Sequence, residues 1–334
     1  MKKTILFISL LTTLASVAST TGNIEVQGSI KKELTNSSSN TDFESKIKGE
    51  LAIKGSGLKL GTELKIENTS VKNSDSKVWA EYKFHEIGGI TPTLKGTAKF
   101  DGKFDLEAKF NAAIGKTDFE FNTKYESEKL ITGKGVSANL NAKFNQVKNT
   151  KFETLIGTWR NLENGKNEAK YYGEFGVEYK GFENILLKFS EKLTLNEKTE
   201  ASLQLKASVK YEGVKNVILE AKVDSELNSI NKPNALGYNI ITEGYAEYKY
   251  KPIEPITLSP KLHLKAVAKS NGSNGSGPKH SWGELTITPS VKLQCKTIKE
   301  LTFTATSELP IKFNFEKYTT TVTGKFSAGI KYEW

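Results

Sequence analysis

The chain has 334 residues and a mass of 36.9 kDa, with 48 basic side chains against 38 acidic ones and a net charge of +10. A single cysteine, Cys295, excludes an internal disulfide framework and a thiolate zinc cluster, and three histidines (His85, His263, His280) leave little for a histidine metal site, so neither metal nor cofactor is expected. The mean hydropathy of −0.44 and short apolar runs exclude a bundle of membrane helices, while 17 phenylalanines and 12 tyrosines suit strands rather than a disordered chain.

Residues 1–18 read as an export signal. Lys2 and Lys3 supply the charge, Ile5 to Leu14 the apolar stretch, and Ser16-Val17-Ala18 the small-x-small cleavage site. The apolar stretch is too short to span a bilayer. Cleavage removes Lys2 and Lys3 and lowers the charge from +10 to +8.

From residue 19 to 334 one property dominates: apolar and polar residues alternate with period two, which predicts one all-β domain with almost no helix. In chain order the alternation first appears at Phe43, Ile47, Leu51 and Ile53 against Glu44, Lys46, Lys48 and Glu50. It recurs over Phe104–Ile114 and Ala201–Tyr211, and is cleanest from Val322 to Trp334. Turn residues divide the chain into about 18 strands, or 16 if short neighbours merge. The spans are 23–34, 42–54, 58–68, 77–87, 91–101, 103–114, 117–126, 136–147, 151–161, 169–180, 185–196, 201–211, 217–228, 237–250, 256–269, 282–297, 301–313 and 319–334. Links after odd strands are mostly the longer ones and links after even strands are tight. Leu155-Ile156 suggests a bulge, Pro260, Pro289 and Pro310 weaken the fifteenth to seventeenth strands, and Glu191 shares the parity of Leu187, Phe189 and Leu193.

Alternation alone fits both a soluble sandwich and a barrel in lipid. Three features favour the barrel: every strand is amphipathic over a membrane-spanning length, the apolar faces carry Ala and Gly as well as Leu and Phe, and the chain ends on a strand closing in an aromatic residue. Trp79, Trp159, Trp282 and Trp334 all fall at strand ends, as an interfacial aromatic girdle requires. The C-terminal residues Phe326, Ile330, Tyr332 and Trp334 resemble the assembly signal of Gram-negative outer-membrane β-barrels. As a pattern, residues 19–334 resemble the porin type of that class. The resemblance implies a closed antiparallel transmembrane barrel in the outer membrane, with short periplasmic turns and longer extracellular loops. It also implies outer-membrane lipid and the barrel-assembly machinery as partners, with a trimer possible.

No catalytic grouping survives inspection, so no enzyme is expected. Ser259 and His263 lie four residues apart on one strand face, about 13 Å, too far for a nucleophile–base hydrogen bond. Asn271–Gly277 is glycine-rich but opens no helix that would cradle phosphate. Nucleic acid is excluded because the lysines alternate with acids instead of forming a patch. Polar parity makes Lys46, Lys48, Lys65, Lys109, Lys124, Lys206, Lys265, Lys292, His263, Glu107, Glu220 and Glu247 the candidate pore-lining residues. A barrel of 16–18 strands encloses an aqueous channel, and the lysine excess gives it a weak anion preference. The expectation is therefore a passive pore for small hydrophilic solutes. The alternative is a narrow or non-conducting barrel acting at the surface as an adhesin or structural protein, through loops such as Ser270–Ser281. The one arginine and the lack of a polar-face aromatic ladder argue against a sugar-specific pore.

Overall fold

A computed structural model describes residues 20–334, apart from residues 36–40, 69, 130–131, 146, 163–167, 198–199, 232–235, 272–278 and 299. The proposed export signal lies outside this range. All regular structure among the described residues is β, arranged as eighteen strands in chain order. They are β1 (Thr20–Glu33), β2 (Thr41–Ile53), β3 (Leu58–Glu67), β4 (Lys77–Lys83), β5 (Ile90–Lys99), β6 (Phe104–Ile114), β7 (Thr117–Lys129), β8 (Thr132–Phe144) and β9 (Thr150–Asn161), followed by β10 (Ala169–Tyr179), β11 (Ile185–Asn196), β12 (Ala201–Tyr211) and β13 (Val217–Asn228). Then come β14 (Gly237–Tyr248, continued as Tyr250–Ile253), β15 (Ile256–Asn271), β16 (Lys279–Ile298), β17 (Leu301–Glu308, resumed as Ile311–Asn314) and β18 (Thr319–Glu333). A stub, Ser70–Val71, extends the β3–β4 hairpin.

Each strand pairs antiparallel with its sequence neighbours, and β1 pairs with β18, from Asn23↔Glu333 to Glu33↔Thr323. The sheet therefore closes on itself and leaves no unpaired edge. All substantial strand–strand contacts join ladder neighbours, so no two layers pack face to face as they would in a sandwich. The buried apolar residues among those described are few: Leu51, Leu64, Ala142, Ala169 and Ala201. A soluble chain of this length could not dispense with a packed core.

Polar-parity side chains from β7 round to β15, from Asp118 to Lys265, line a common cavity of about 800 Å³. Only the concave side of a curved sheet can bring together residues from so many strands. The opposite parity stands on the convex side, where Phe110, Leu140, Phe189, Leu264, Leu293 and Phe326 are exposed. Water would not tolerate that continuous apolar belt, whereas hydrocarbon would.

Three local readings change. Leu155 and Ile156 hold unbroken register with β8 and β10, so β9 has no bulge there; Leu155 turns into the lumen and Ile156 outward, 66% exposed. Register shifts lie elsewhere, one of them between Val267 and Ala268, opposite Gly283, where any Cβ would overlap the Val267 carbonyl. Pro260 and Pro289 sit within the β15–β16 ladder, while Pro310 divides β17, and the Thr323 N–H donates to its carbonyl at 3.0 Å.

Candidate functional site: the lumen wall

The alternation that puts leucine outside places the polar side chains inside, where each can meet a neighbour across the ladder. Lys46 on β2 pairs with Glu63 on β3, and Lys48 stands opposite Glu63 in register. Lys65 gathers Glu44 at 3.5 Å, Glu67 at 3.2 Å and Asp75 at 3.5 Å. Lys109 meets Glu107 at 3.3 Å, and Asn122 donates to Glu107 at 2.8 Å. Lys124 bridges Asp105 at 3.5 Å and Glu126 at 2.5 Å. Lys206 lies 3.9 Å from Asp224, and Glu220 takes Lys222 at 2.7 Å and the Tyr245 hydroxyl. Glu243 holds Lys265 at 3.1 Å and lies 3.9 Å from His263.

The remaining candidates differ. Lys292 faces Ser259 and Thr306 in register and, among the described residues, forms no ion pair, nor does Lys48. Glu247 stands across from Lys261. Around Lys292 the wall carries hydroxyls, including Ser290, Thr302, Thr304 and Ser327, together with Glu308 and Lys331. Ion pairs run on through the β15–β18 arc, with Lys312 on Glu284 at 2.7 Å and Lys325 on Glu308 at 3.3 Å, and hydroxyls cluster there around Lys292. Ser259 and His263 lie on one face of β15 with Lys261 between them, facing Lys292 and Thr288, not each other.

Parity also turns aromatic rings inward. Trp79 shares a face with Lys77 and Glu81, and Trp159 with Glu153, so both face the lumen and not the lipid girdle. Strand-end position locates a ring in depth but does not choose its face. Lys95 Nζ lies 4.5 Å from the Trp79 ring centre and Lys170 Nζ 5.7 Å from that of Trp159. Tyr172 with Lys192 at 4.7 Å, and Tyr245 with Lys261 at 4.0 Å and Lys222 at 5.8 Å, repeat the arrangement. Sequence reading missed these cation–aromatic pairs, although their parity with charged neighbours was the signal. Three of the rings cover a glycine on an adjacent strand: Trp79 over Gly61, Trp159 over Gly135 and Tyr172 over Gly157.

The outward belt near the turn rim is built mainly of tyrosine. Tyr82 meets Phe84 and Tyr179 meets Phe182 edge-on, while Tyr248–Tyr250 and Tyr332–Trp334 stack. Trp334 belongs to this belt, covering Gly22. Trp282 is a residue of β16 whose side chain lies outside the described set. Phe326, Ile330 and Tyr332 stand on the same outward face and pair with Ile30, Val26 and Ile24 at the closing seam.

Between β3 and β4 the loop rim carries a small charged knot. Lys72 donates to Glu67 at 3.0 Å, and that bond, with the Glu67 charge, holds the Lys72 ammonium above its ordinary value. For Asp75, partial desolvation pushes upward, but the Ser74 hydroxyl and the Lys72 and Lys65 charges outweigh it and set the carboxyl below the usual range.

No protein-family model matches the chain, and no curated protein matches it. Solved structures do. The chain is similar to OccK5 (OpdH) of Pseudomonas aeruginosa, with a TM-score of 0.59, 8% identity, and 94% of this chain and 98% of that one covered. It is similar to a BenF-like porin from Pseudomonas fluorescens Pf-5 (TM-score 0.59, 5% identity, 95% and 99% covered) and to OprD of Pseudomonas aeruginosa (TM-score 0.56, 7% identity, 94% and 95% covered). At such identities the likeness establishes the fold: this is a closed eighteen-strand barrel of the porin type.

Proposed function

We propose that the protein is an outer-membrane pore through which small hydrophilic solutes diffuse, with a weak preference for anions set by lysines of the wall, and that residues 1–18 are removed on export. The observation that carries this reading is the continuous polar inner face, with charged side chains of nine consecutive strands lining one cavity. A barrel of eighteen strands is wide enough to hold water, and charged walls keep it hydrated. In this reading Lys46, Lys48, Lys65, Lys109, Lys124, Lys206, Lys265, Lys292, His263, Glu107, Glu220 and Glu247 border the permeation path. Most of these lysines are balanced by acids, and Lys48 stands between Glu25 and Glu63 in register, so the selectivity is mild and rests most on Lys292, which makes no ion pair among the described residues. Short turns face the periplasm, and the outward residues of β18, ending at Trp334, form the segment read by the assembly machinery. Among the described residues the wall offers no nucleophile–base pair, and it is proposed to carry no enzyme activity.

Planar-bilayer recording tests the proposal. The purified chain should give stepwise openings, with a reversal potential under a salt gradient displaced toward the anion. Silent membranes containing folded barrels would reject the pore and turn attention to the loop rim as a surface-binding region.

A further inference from the structure

Away from the rims, the outward face of the described strands carries one charged side chain, Glu191. It sits at the middle of β11, between Phe189 and Leu193 along the strand and opposite Phe175 and Leu205 across it. Phe175, Phe189 and Leu193 are exposed on the convex surface, and so is Glu191. The register on both sides is unbroken, so no bulge rescues the carboxyl by turning it inward. It has no hydrogen-bond or ion-pair partner among the described residues. The other outward charges, Lys32 and Arg160, are the penultimate residues of β1 and β9, where the headgroup region begins. An acidic group in hydrocarbon is costly, and intramembrane ionisable groups are normally paired.

We infer that the outer face of β10–β12 is a contact between two copies of this barrel, with Glu191 of one copy against Glu191 of the other. The geometry of a membrane suits this pairing. Both copies insert with the same orientation, so the axis of a twofold dimer runs along the bilayer normal, and a residue near it meets its own counterpart at the same depth. A head-to-tail contact offers Glu191 no counter-charge, because among the described residues no basic residue stands on the convex face at mid-depth. Two carboxyls can satisfy each other by sharing a proton, one O–H donating to the other oxygen. The surroundings permit close approach. Gly173 has open space beside it and lies diagonal to Glu191, as does Ala207, and small residues let two membrane walls meet. The inference rests on the barrel lying in lipid and does not require that it conduct.

The test uses the full chain folded into lipid vesicles at high lipid-to-protein ratio. In a Cys295→Ser background, Glu191→Cys should form a disulfide-linked dimer on oxidation, whereas Leu94→Cys, outward on the distant strand β5, should stay monomeric. Without cross-linking, single-molecule photobleaching should count two copies. Glu191→Leu should weaken dimerisation about tenfold, while Glu191→Gln, whose amide both donates and accepts, should retain it. Single-barrel conductance should be the same in all three, which separates failure of the dimer from failure of the pore. Monomers in the wild type, equal cross-linking at positions 94 and 191, or capture of Glu191→Cys in native membranes only by a different chain would each overturn the inference.

Discussion

Orientation of single side chains is the clearest consequence of the period-two pattern. Trp79 and Trp159 sit beside charged lumen residues, with Lys95 and Lys170 over their rings. Trp334 stacks on Tyr332 at the outer face. In variants retaining one tryptophan each, Trp79 and Trp159 fluorescence should be quenched by aqueous iodide and insensitive to brominated lipid, and Trp334 should behave in the opposite way. Lipid quenching of Trp79 would place its ring outside. A second expectation concerns the β3–β4 loop. Because Asp75 titrates below its unfolded value, its contribution is present above that value and is lost as pH falls through the lower, folded one. Hydrogen exchange through residues 70–76, corrected for intrinsic rates, should accelerate on acidification into that range. Asp75→Asn should reproduce the faster exchange at pH 7, and unchanged exchange in that variant would remove the carboxylate from the loop's support.

Among strands and turns, a repeated hairpin device holds the turn rim. Asn149, Asn184 and Asn216 adopt positive φ of 61°, 61° and 67°. The carbonyl of each accepts the backbone N–H of the next turn: Lys180 at 2.8 Å, Glu212 at 2.9 Å and Lys249 at 2.7 Å. Asparagine tolerates this conformation and β-branched residues do not. Asn184→Val should therefore cost about 1–3 kcal/mol, and Asn184→Gly much less, as measured by denaturant-induced unfolding in vesicles. Equal losses in both variants would point to the side chain and away from the backbone. Much of this level was legible in the sequence. The spans 185–196, 201–211 and 217–228 coincide with β11, β12 and β13, because each strand begins and ends at turn residues with no bulge between. The 282–297 span is shorter than β16 at both ends, since Gly283 sits at a bulge that breaks parity without ending the strand. The inward rings were misplaced for a different reason: the sequence puts Trp79 and Trp159 near a rim, but only parity with Glu81 or Glu153 tells which face they take. The cross-strand partners of the lumen lysines depend on register, which alternation alone leaves open by steps of two.

For the whole molecule the governing fact is inversion: ionic residues enclosed, apolar ones displayed. Charge within the enclosure then acts through water. A unit charge about 8 Å from a permeating ion contributes about 0.5 kcal/mol before screening, and a Debye length near 10 Å at 0.1 M preserves a good part of it. Lys206 and Lys265 are paired with acids, Asp224 and Glu243, whereas Lys292 makes no ion pair among the described residues. Replacing all three by glutamine removes three positive charges, and in the first two positions it also uncovers a carboxylate. The anion-to-cation permeability ratio should fall by about threefold or more at 0.1 M and by much less at 1 M. Lys292→Gln alone should account for part of the change with little effect on stability, because no ion pair is broken. Reversal potentials measured at both salt concentrations decide the matter. A triple variant with unchanged selectivity at low salt would show that these lysines do not border the permeation path, although the barrel itself would stand.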